Sequence, residues 1–293
     1  MSNNVIEVKN LSKYYGKHRG IEDVIFSVGE GEIFGFIGPN GAGKSTTIRT
    51  LMALIRPSSG NAQIFGMDCI KEAHKIAGNV GYLPSEAYYY ENMTVKELLK
   101  YSAELYQMDC NERINELKER LKLDDTRKIS DLSFGNKKKV GIVAALLHSP
   151  KLIILDEPTN GLDPLIKETF FEILKEENKK GATILYSSHV LSEVQRICSK
   201  VAIIKEGKII NIQNMSDLRK NGYKKIQLVL SDPIAKDYFK EGNIANYKLK
   251  GNHVSFIYRG EADKIIGKIF NLKVEDVFIE EPTLEEIFLH YYK

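Results

Sequence analysis

Cysteine is scarce in this chain. Only 3 occur among 293 residues, Cys69, Cys110 and Cys198, and none forms a CxxC pair. That excludes a disulfide framework and the common zinc signatures. Each thiol reads as a small buried hydrophobe, as a reducing compartment permits. Long apolar runs are missing too. The longest, over 143–147 and 152–155, have the length of core helices or strands. A membrane-crossing helix needs ~20 apolar residues. The opening MSNNVIEVKN holds no apolar signal segment. The sequence therefore predicts no membrane crossing, so any transport path must come from another chain. Neither sign of charge dominates: the net charge is +3, and no basic field points to nucleic acid.

Apolar residues make up 43% and charged residues 28%, the balance of a water-soluble globular protein. The length suits two domains at roughly 100–200 residues each. Strand-like and helix-like segments alternate over the first two thirds. Residues 32–37 read as a short apolar strand, then a Gly-rich turn, then 44–54 with helical spacing. Residues 151–155 and 183–186 read as buried strands. Between them a helix starts at Pro164 with Asp163 as N-cap. Thr94-Val-Lys-Glu97 is a capping box opening an amphipathic helix. Residues about 90–130 look all-helical. Such alternation predicts a largely parallel sheet covered on both faces. The composition shifts near 214, where strands over 226–230, 254–258 and 274–279 and a helix over 262–270 describe a small α+β domain. A last helix over 283–292 opens on a second capping box, Thr283 and Glu286.

Two segments carry chemistry. Gly38-Pro-Asn-Gly-Ala-Gly-Lys-Ser45 fits GxxxxGK[ST] between a strand and a helix. Its glycines let the backbone wrap phosphates, with N–H groups and the helix N-terminus facing the negative charge. Lys44 would reach the β- and γ-phosphates, and the Ser45 hydroxyl would ligate Mg²⁺. The second segment, Lys151-Leu-Ile-Ile-Leu-Asp156-Glu157, ends a buried strand in two carboxylates, where open α/β sheets bind ligands. Asp156 suits Mg²⁺, and Glu157 suits polarising an attacking water.

Together these residues resemble the ABC ATPase family. Leu132-Ser-Phe-Gly-Asn is similar to its signature motif, Gly161-Leu-Asp163-Pro to its D-loop, and Ser188-His189 to its switch histidine. Tyr15 resembles the aromatic that stacks on adenine, with Tyr14 competing for that role. The resemblance implies an α/β P-loop NTPase core over 1–213 with a helical subdomain over about 88–140. A small α+β accessory domain follows over 214–293. It implies ATP held by Tyr15, Gly38, Asn40, Gly41, Ala42, Gly43, Lys44, Ser45 and Thr46. Asp163 would also bind the ATP, Ser133 and Gly135 of the signature helix would reach it across a dimer, and His189 would bond the γ-phosphate. Partners would be a second nucleotide-binding subunit, identical or not, and a separate transmembrane permease. The chain would sit peripherally on the cytoplasmic face of the cell membrane.

Three positions depart from the family pattern. Ser85 stands where a Gln usually touches Mg²⁺; Glu86 or a bridging water would substitute. Phe134 replaces a Gly and Asn136 a Gln. The variants Leu-Pro-Ser-Glu and Leu-Ser-Phe-Gly-Asn, with Pro282-Thr-Leu-Glu-Glu-Ile-Phe288 near the end, resemble the drug- and peptide-export branch. The tail reads as regulatory, dimer-supporting or purely structural. The expected function is an ATP-hydrolysing exporter subunit. The alternatives are a soluble ATPase acting on nucleic acid or ribosomes, or a weakly catalytic nucleotide switch in a heterodimer. Against the former stand a single phosphate loop and no sustained heptads. Lys137, Lys138 and Lys139 read as a solvated helix face rather than a nucleic-acid patch.

Overall fold

The computed structural model describes residues 4–220, 223–235, 238–239, 242–282 and 286. Two long antiparallel strands open the chain, β1 (Asn4–Tyr15) and β2 (His18–Gly29). Their register slips at several points, for example between Val8 and Leu11. β3 (Ile33–Ile37) follows, buried along its whole length, as a central parallel strand must be. α1 (Lys44–Leu51) starts after the next loop. β4 (Ser59–Ile64) and β5 (Met67–Asp68) return to the first sheet, ordered β2-β1-β4-β5. Phe26 of β2 stacks on Phe34 and Phe36 of β3, with ring centres 5.5 and 5.4 Å apart. An antiparallel layer thus covers one side of β3, a layer absent from the sequence reading.

α2 (Ala73–Ala77) leads into β6 (Val80–Leu83). Helices α3 (Val95–Leu105), α4 (Asn111–Arg120) and α5 (Phe134–Leu146) come next, with a 3-10 turn over Ile129–Asp131. The predicted capping box is present: Thr94 Oγ1 accepts the Glu97 N–H at 3.2 Å, and Glu97 accepts the Thr94 N–H at 2.8 Å. β7 (Leu152–Asp156), α6 (Pro164–Lys179), β8 (Thr183–Ser188), α7 (Leu191–Ile197), β9 (Lys200–Lys205) and β10 (Lys208–Asn214) complete the second sheet. Its order is β10-β9-β3-β8-β7-β6. Within it, β9, β3, β8, β7 and β6 run parallel to one another. Ile37 pairs with Ser188, Asp156 with Ser187, and Leu83 with Leu155. The carboxyl ends of four strands therefore lie along one edge.

Close contacts tie α4 to α6 and α5 to this sheet. Arg113 Nη2 bonds Glu177 Oε1 at 2.6 Å, and Arg120 grips both oxygens of Glu176 at 2.5 and 2.9 Å, joining α4 to α6. Gly81 of β6 lies against α5: a Cβ there would stand 2.0 Å from the Ala145 carbonyl oxygen. Gly81→Ala is expected to cost about 1–3 kcal/mol through overpacking, read as a lower midpoint in chemical denaturation.

Contacts divide the chain into two compact units, Met1–Val190 with Ile197–Ile212, and Leu191–Arg196 with Gln213–Lys293. The second contains α8 (Met215–Lys220), β11 (Tyr223–Leu230), β12 (Ile244–Lys250), β13 (His253–Arg259), α9 (Ala262–Phe270) and β14 (Val274–Glu280). Its strands form an antiparallel sheet ordered β12-β13-β11-β14. Ile265 and Ile269 of α9 join Ile226, Leu228 and Phe256 in its core, as the helix spacing predicts, whereas Ile266, which that spacing also assigns to the apolar face, is 49% exposed. Strand β12 is not in the sequence reading. The helix expected over 283–292, with Thr283, lies outside the described residues apart from Glu286. All three cysteines are buried and free, as expected of structural thiols.

Candidate active site

The loop between β3 and α1 is shaped by its glycines. Gly43 has φ +110°, a conformation that glycine adopts without strain. A Cβ there would stand 2.7 Å from Ile21 Cγ2. Gly38 approaches β9 so closely that its Cβ would be 2.3 Å from the Ile204 carbonyl oxygen. Gly43 is the N-cap of α1 and makes no side-chain cap bond, so the first N–H groups of the helix suit an anion. Asn40 and Gly41 are exposed, Ala42 is buried, and Ser45 and Thr46 are half-buried.

Lys44 closes this loop on itself. Its buried amine donates to the carbonyl oxygens of Gly38 at 2.7 Å and Pro39 at 3.2 Å. It also lies 3.1 Å from Glu157 Oε1. That contact is an ion pair without hydrogen-bond geometry, since Glu157 Oε1 is buried and accepts no hydrogen bond.

Of the two tyrosines, Tyr15 is the one beside the loop. A Cβ on Gly20 would meet both Tyr15 Cε2 at 2.9 Å and Thr46 Cγ2 at 3.1 Å, so the ring flanks the start of α1. It is 46% exposed, and the Lys13 amine lies over the ring, 5.3 Å from its centre. The Tyr14 N–H instead bonds Ser58 Oγ at 2.9 Å.

The carboxylates emerge where β7 ends. Ser187 Oγ donates to Asp156 Oδ1 at 2.6 Å, while Asp156 Oδ2 is buried without a partner. Glu157 has φ +49°, a left-handed conformation costing roughly 1–2 kcal/mol for a residue with a Cβ. Strain of this kind clusters at functional sites. The Glu157 N–H holds it there, bonding Ser187 O and Ser187 Oγ, both at 3.2 Å. His189 Nδ1 lies 2.8 Å from Glu157 Oε2. Lys44, Glu157 and His189, from the loops after β3, β7 and β8, thus meet. Ser187 was missed in the sequence; the only signal for it is a hydroxyl at the end of a buried strand just before His189.

Ser133, Gly135 and Asp163 form a second group. Ser133 caps α5, its Oγ accepting the Asn136 N–H at 3.3 Å. Asp163 caps α6, its Oδ1 accepting the Ile166 N–H at 3.0 Å. The two turns interlock. A Cβ on Gly135 would be 2.4 Å from the Gly161 carbonyl oxygen, and one on Gly161 would be 2.3 Å from Phe134 Cδ1. Phe134 is exposed.

The lysine run departs from expectation. It does not form a solvated face: Lys138 is 3% exposed and Lys139 9%. Half-buried Lys137 lies 3.6 Å from Glu91. The reason is that α5 is embedded, and the Lys138 amine finds carbonyl oxygens instead of water. It donates to Pro84 O at 3.1 Å and Ser85 O at 2.9 Å. Burial pushes this ammonium down to about 8, against the pull of Asp156, Glu157 and Glu86. Glu86 itself accepts the Tyr88 hydroxyl at 3.3 Å.

Among the described residues, no group of three or more His, Cys, Asp or Glu could hold a metal ion. Magnesium needs no such cage, since it takes one or two carboxylates and fills its shell with phosphate oxygens and water. Asp156 Oδ2 fits that requirement: a buried acceptor without a partner costs about 1–3 kcal/mol, which a cation relieves.

Comparison with known proteins agrees with this geometry. The ABC transporter family model matches residues 21–160. The bacitracin transport ATP-binding protein BcrA of Bacillus licheniformis is 35% identical over 97% of this chain and 96% of its own length. The solved ATP binding subunit of an ABC transporter aligns with TM-score 0.70 at 35% identity, covering 74% of this chain and 92% of that one. The dimeric structure of MJ0796, a bacterial ABC transporter cassette, aligns with TM-score 0.67 at 25% identity, covering 72% and 98%. The fold is that of a P-loop NTPase, and the chain belongs to the ATP-binding proteins of ABC transporters.

Proposed function

We propose that this chain hydrolyses ATP as the motor subunit of an exporter, working as a dimer on a separate transmembrane permease. The observation that carries this reading is the meeting of Lys44, Glu157 and His189 at the carboxyl ends of β3, β7 and β8. The loop over 38–45 binds the triphosphate, with Lys44 turned to the β- and γ-phosphates and Tyr15 stacked on the adenine. Glu157 accepts a hydrogen bond from the attacking water and polarises it. His189 holds that carboxylate through Oε2 and reaches the γ-phosphate with its other nitrogen. Asp156, oriented by Ser187, and Ser45 would hold Mg²⁺, which supplies charge neutralisation at the phosphate oxygens.

Ser133, Gly135 and Asp163 make their contacts apart from Lys44 and Glu157, which supports their serving the nucleotide of a second subunit. The α5 N-terminus, capped by Ser133, then faces that γ-phosphate. ATP bridges the two chains, and its hydrolysis removes the bridge. Export of a drug, peptide or lipid-like substrate is supported by the similarity to a protein named for bacitracin transport. No described helix is long and apolar enough to cross a membrane, so the proposed path belongs to the permease. The chain docks at its cytoplasmic face. We assign the ATPase domain to 1–213, its helical subdomain to about 88–140, and an accessory domain to 214–293.

The decisive experiment is phosphate release by the purified chain with its co-purifying membrane subunit, ATP and Mg²⁺. Absence of both bound nucleotide and released phosphate would refute the reading. Two further outcomes are expected. Ser85→Gln shifts the Mg²⁺ concentration for half-maximal turnover; an unchanged titration removes residue 85 from the metal's surroundings. Tyr88 and Tyr90 are 91% and 63% exposed in the loop before α3, and we place the permease there. The double change Tyr88→Ala with Tyr90→Ala is expected to lower permease-stimulated turnover several-fold, since buried aromatic anchors dominate interfaces. Permease-free turnover stays the same.

A further inference from the structure

Lys138 is a buried cation that the mechanism above does not use. A lysine is rarely buried without a carboxylate partner, and a well-packed apolar side chain there would avoid the desolvation. Its amine donates instead to two successive carbonyls, Pro84 O at 3.1 Å and Ser85 O at 2.9 Å. These belong to the loop leaving β6, whose last residue Leu83 pairs with Leu155, next to Asp156. One turn further along α5, a Cβ on Gly141 would stand 2.4 Å from the Tyr89 hydroxyl and 2.6 Å from Leu83 Cδ1. The same face of α5 thus holds the loop twice, at residues 84–85 through the ammonium and at Tyr89 through shape. The charges whose field reaches the ammonium are Asp156, Glu157 and Glu86.

We infer that Lys138 is a positioning residue for hydrolysis, fastening the loop that carries Ser85 to the helix that carries Ser133. The inference rests on the hydrolytic reading above. Ser85 is short, so its own side chain cannot tie the loop to the site; the lysine ties it by its main chain. The loop and the N-terminus of α5 then move as one piece, and displacement of the loop is felt at Ser133. Lys138 touches neither the 38–45 loop nor Glu157 within hydrogen-bond reach, so nucleotide affinity is left to other residues.

The test uses the full chain with three variants. Lys138→Met keeps length and apolar stem while removing charge and donors. Lys138→Arg restores both, and Glu157→Gln is the inactive control. The expected result for Lys138→Met is a kcat lower by about 10–10²-fold, the scale of a displaced catalytic geometry. Its KM for ATP stays within about twofold, its thermal midpoint holds, and amide exchange over 84–90 quickens. Lys138→Arg recovers much of the kcat. Unchanged kcat or unchanged exchange in Lys138→Met overturns the inference, as does a kcat loss that follows only the fraction of unfolded protein. Wild-type protein indistinguishable from Glu157→Gln overturns the hydrolytic reading itself, and the inference with it.

Discussion

Glu157→Gln is expected to slow ATP turnover about 10²–10⁴-fold while ATP still binds. The argument starts from the backbone. Residue 157 is held at φ +49° by its N–H bonds to Ser187, and those bonds are blind to its side chain. The amide therefore occupies the place of the carboxylate at the same strain, and the 38–45 loop is undisturbed. What changes is basicity: an amide oxygen accepts a hydrogen bond from water but takes no proton. His189, 2.8 Å from Glu157 Oε2, also loses its anionic partner. Single-turnover phosphate release and nucleotide retention measure the two halves of this expectation. Normal turnover in this variant would remove Glu157 from the chemistry.

Lys44→Ala acts on the other step. Hydrogen bonds to charged groups count for about 1.5–3 kcal/mol each, and Lys44 is placed to serve two phosphates. Affinity for ATP should fall roughly 10²–10³-fold or beyond detection, as read by equilibrium binding. A second effect is expected in protein without added nucleotide. Glu157 Oε1 is buried, and the Lys44 amine at 3.1 Å is the cation beside it. Removing one member of a buried pair costs about 3–5 kcal/mol. The lower end applies here, because His189 still faces Oε2. The thermal midpoint should therefore drop in Lys44→Ala by more than in Glu157→Gln, which leaves the amine its two carbonyl acceptors, Gly38 O and Pro39 O. Equal affinity in Lys44→Ala and wild type would contradict the phosphate role of the loop.

What could be read from the residues alone follows a physical division. Local signals were legible: the strand–loop–helix at 38–45, the Thr94 and Asp163 caps, and the apolar stripe of α9 each lie within a dozen residues of sequence. The carboxylate pair was legible because a fully buried strand precedes it. The long antiparallel pair β1 and β2 was not, since slips in register break the two-residue period that betrays a strand. β12, Ile-Ala-Asn-Tyr-Lys-Leu-Lys, is half-buried over most of its length and gives a weak alternation. Lys138 misled for a different reason. Its acceptors are main-chain oxygens more than fifty residues away, and a carbonyl leaves no trace in residue type. The same holds for Ser187, whose role depends on the pairing of β8 with β7.

The attachment of α4 to α6 has a consequence of its own. Arg120 and Glu176 meet with side chains 23% and 45% exposed, Arg113 and Glu177 with 12% and 3%. Dissolved ions screen attraction over ~8 Å at physiological strength, and far less where water is shut out. Brine should slacken the outer rivet first and leave the inner one tight, so the helical arm would gain play before it could come away. Its stiffness would then vary with the electrolyte around it, while the apolar sheets beneath keep theirs.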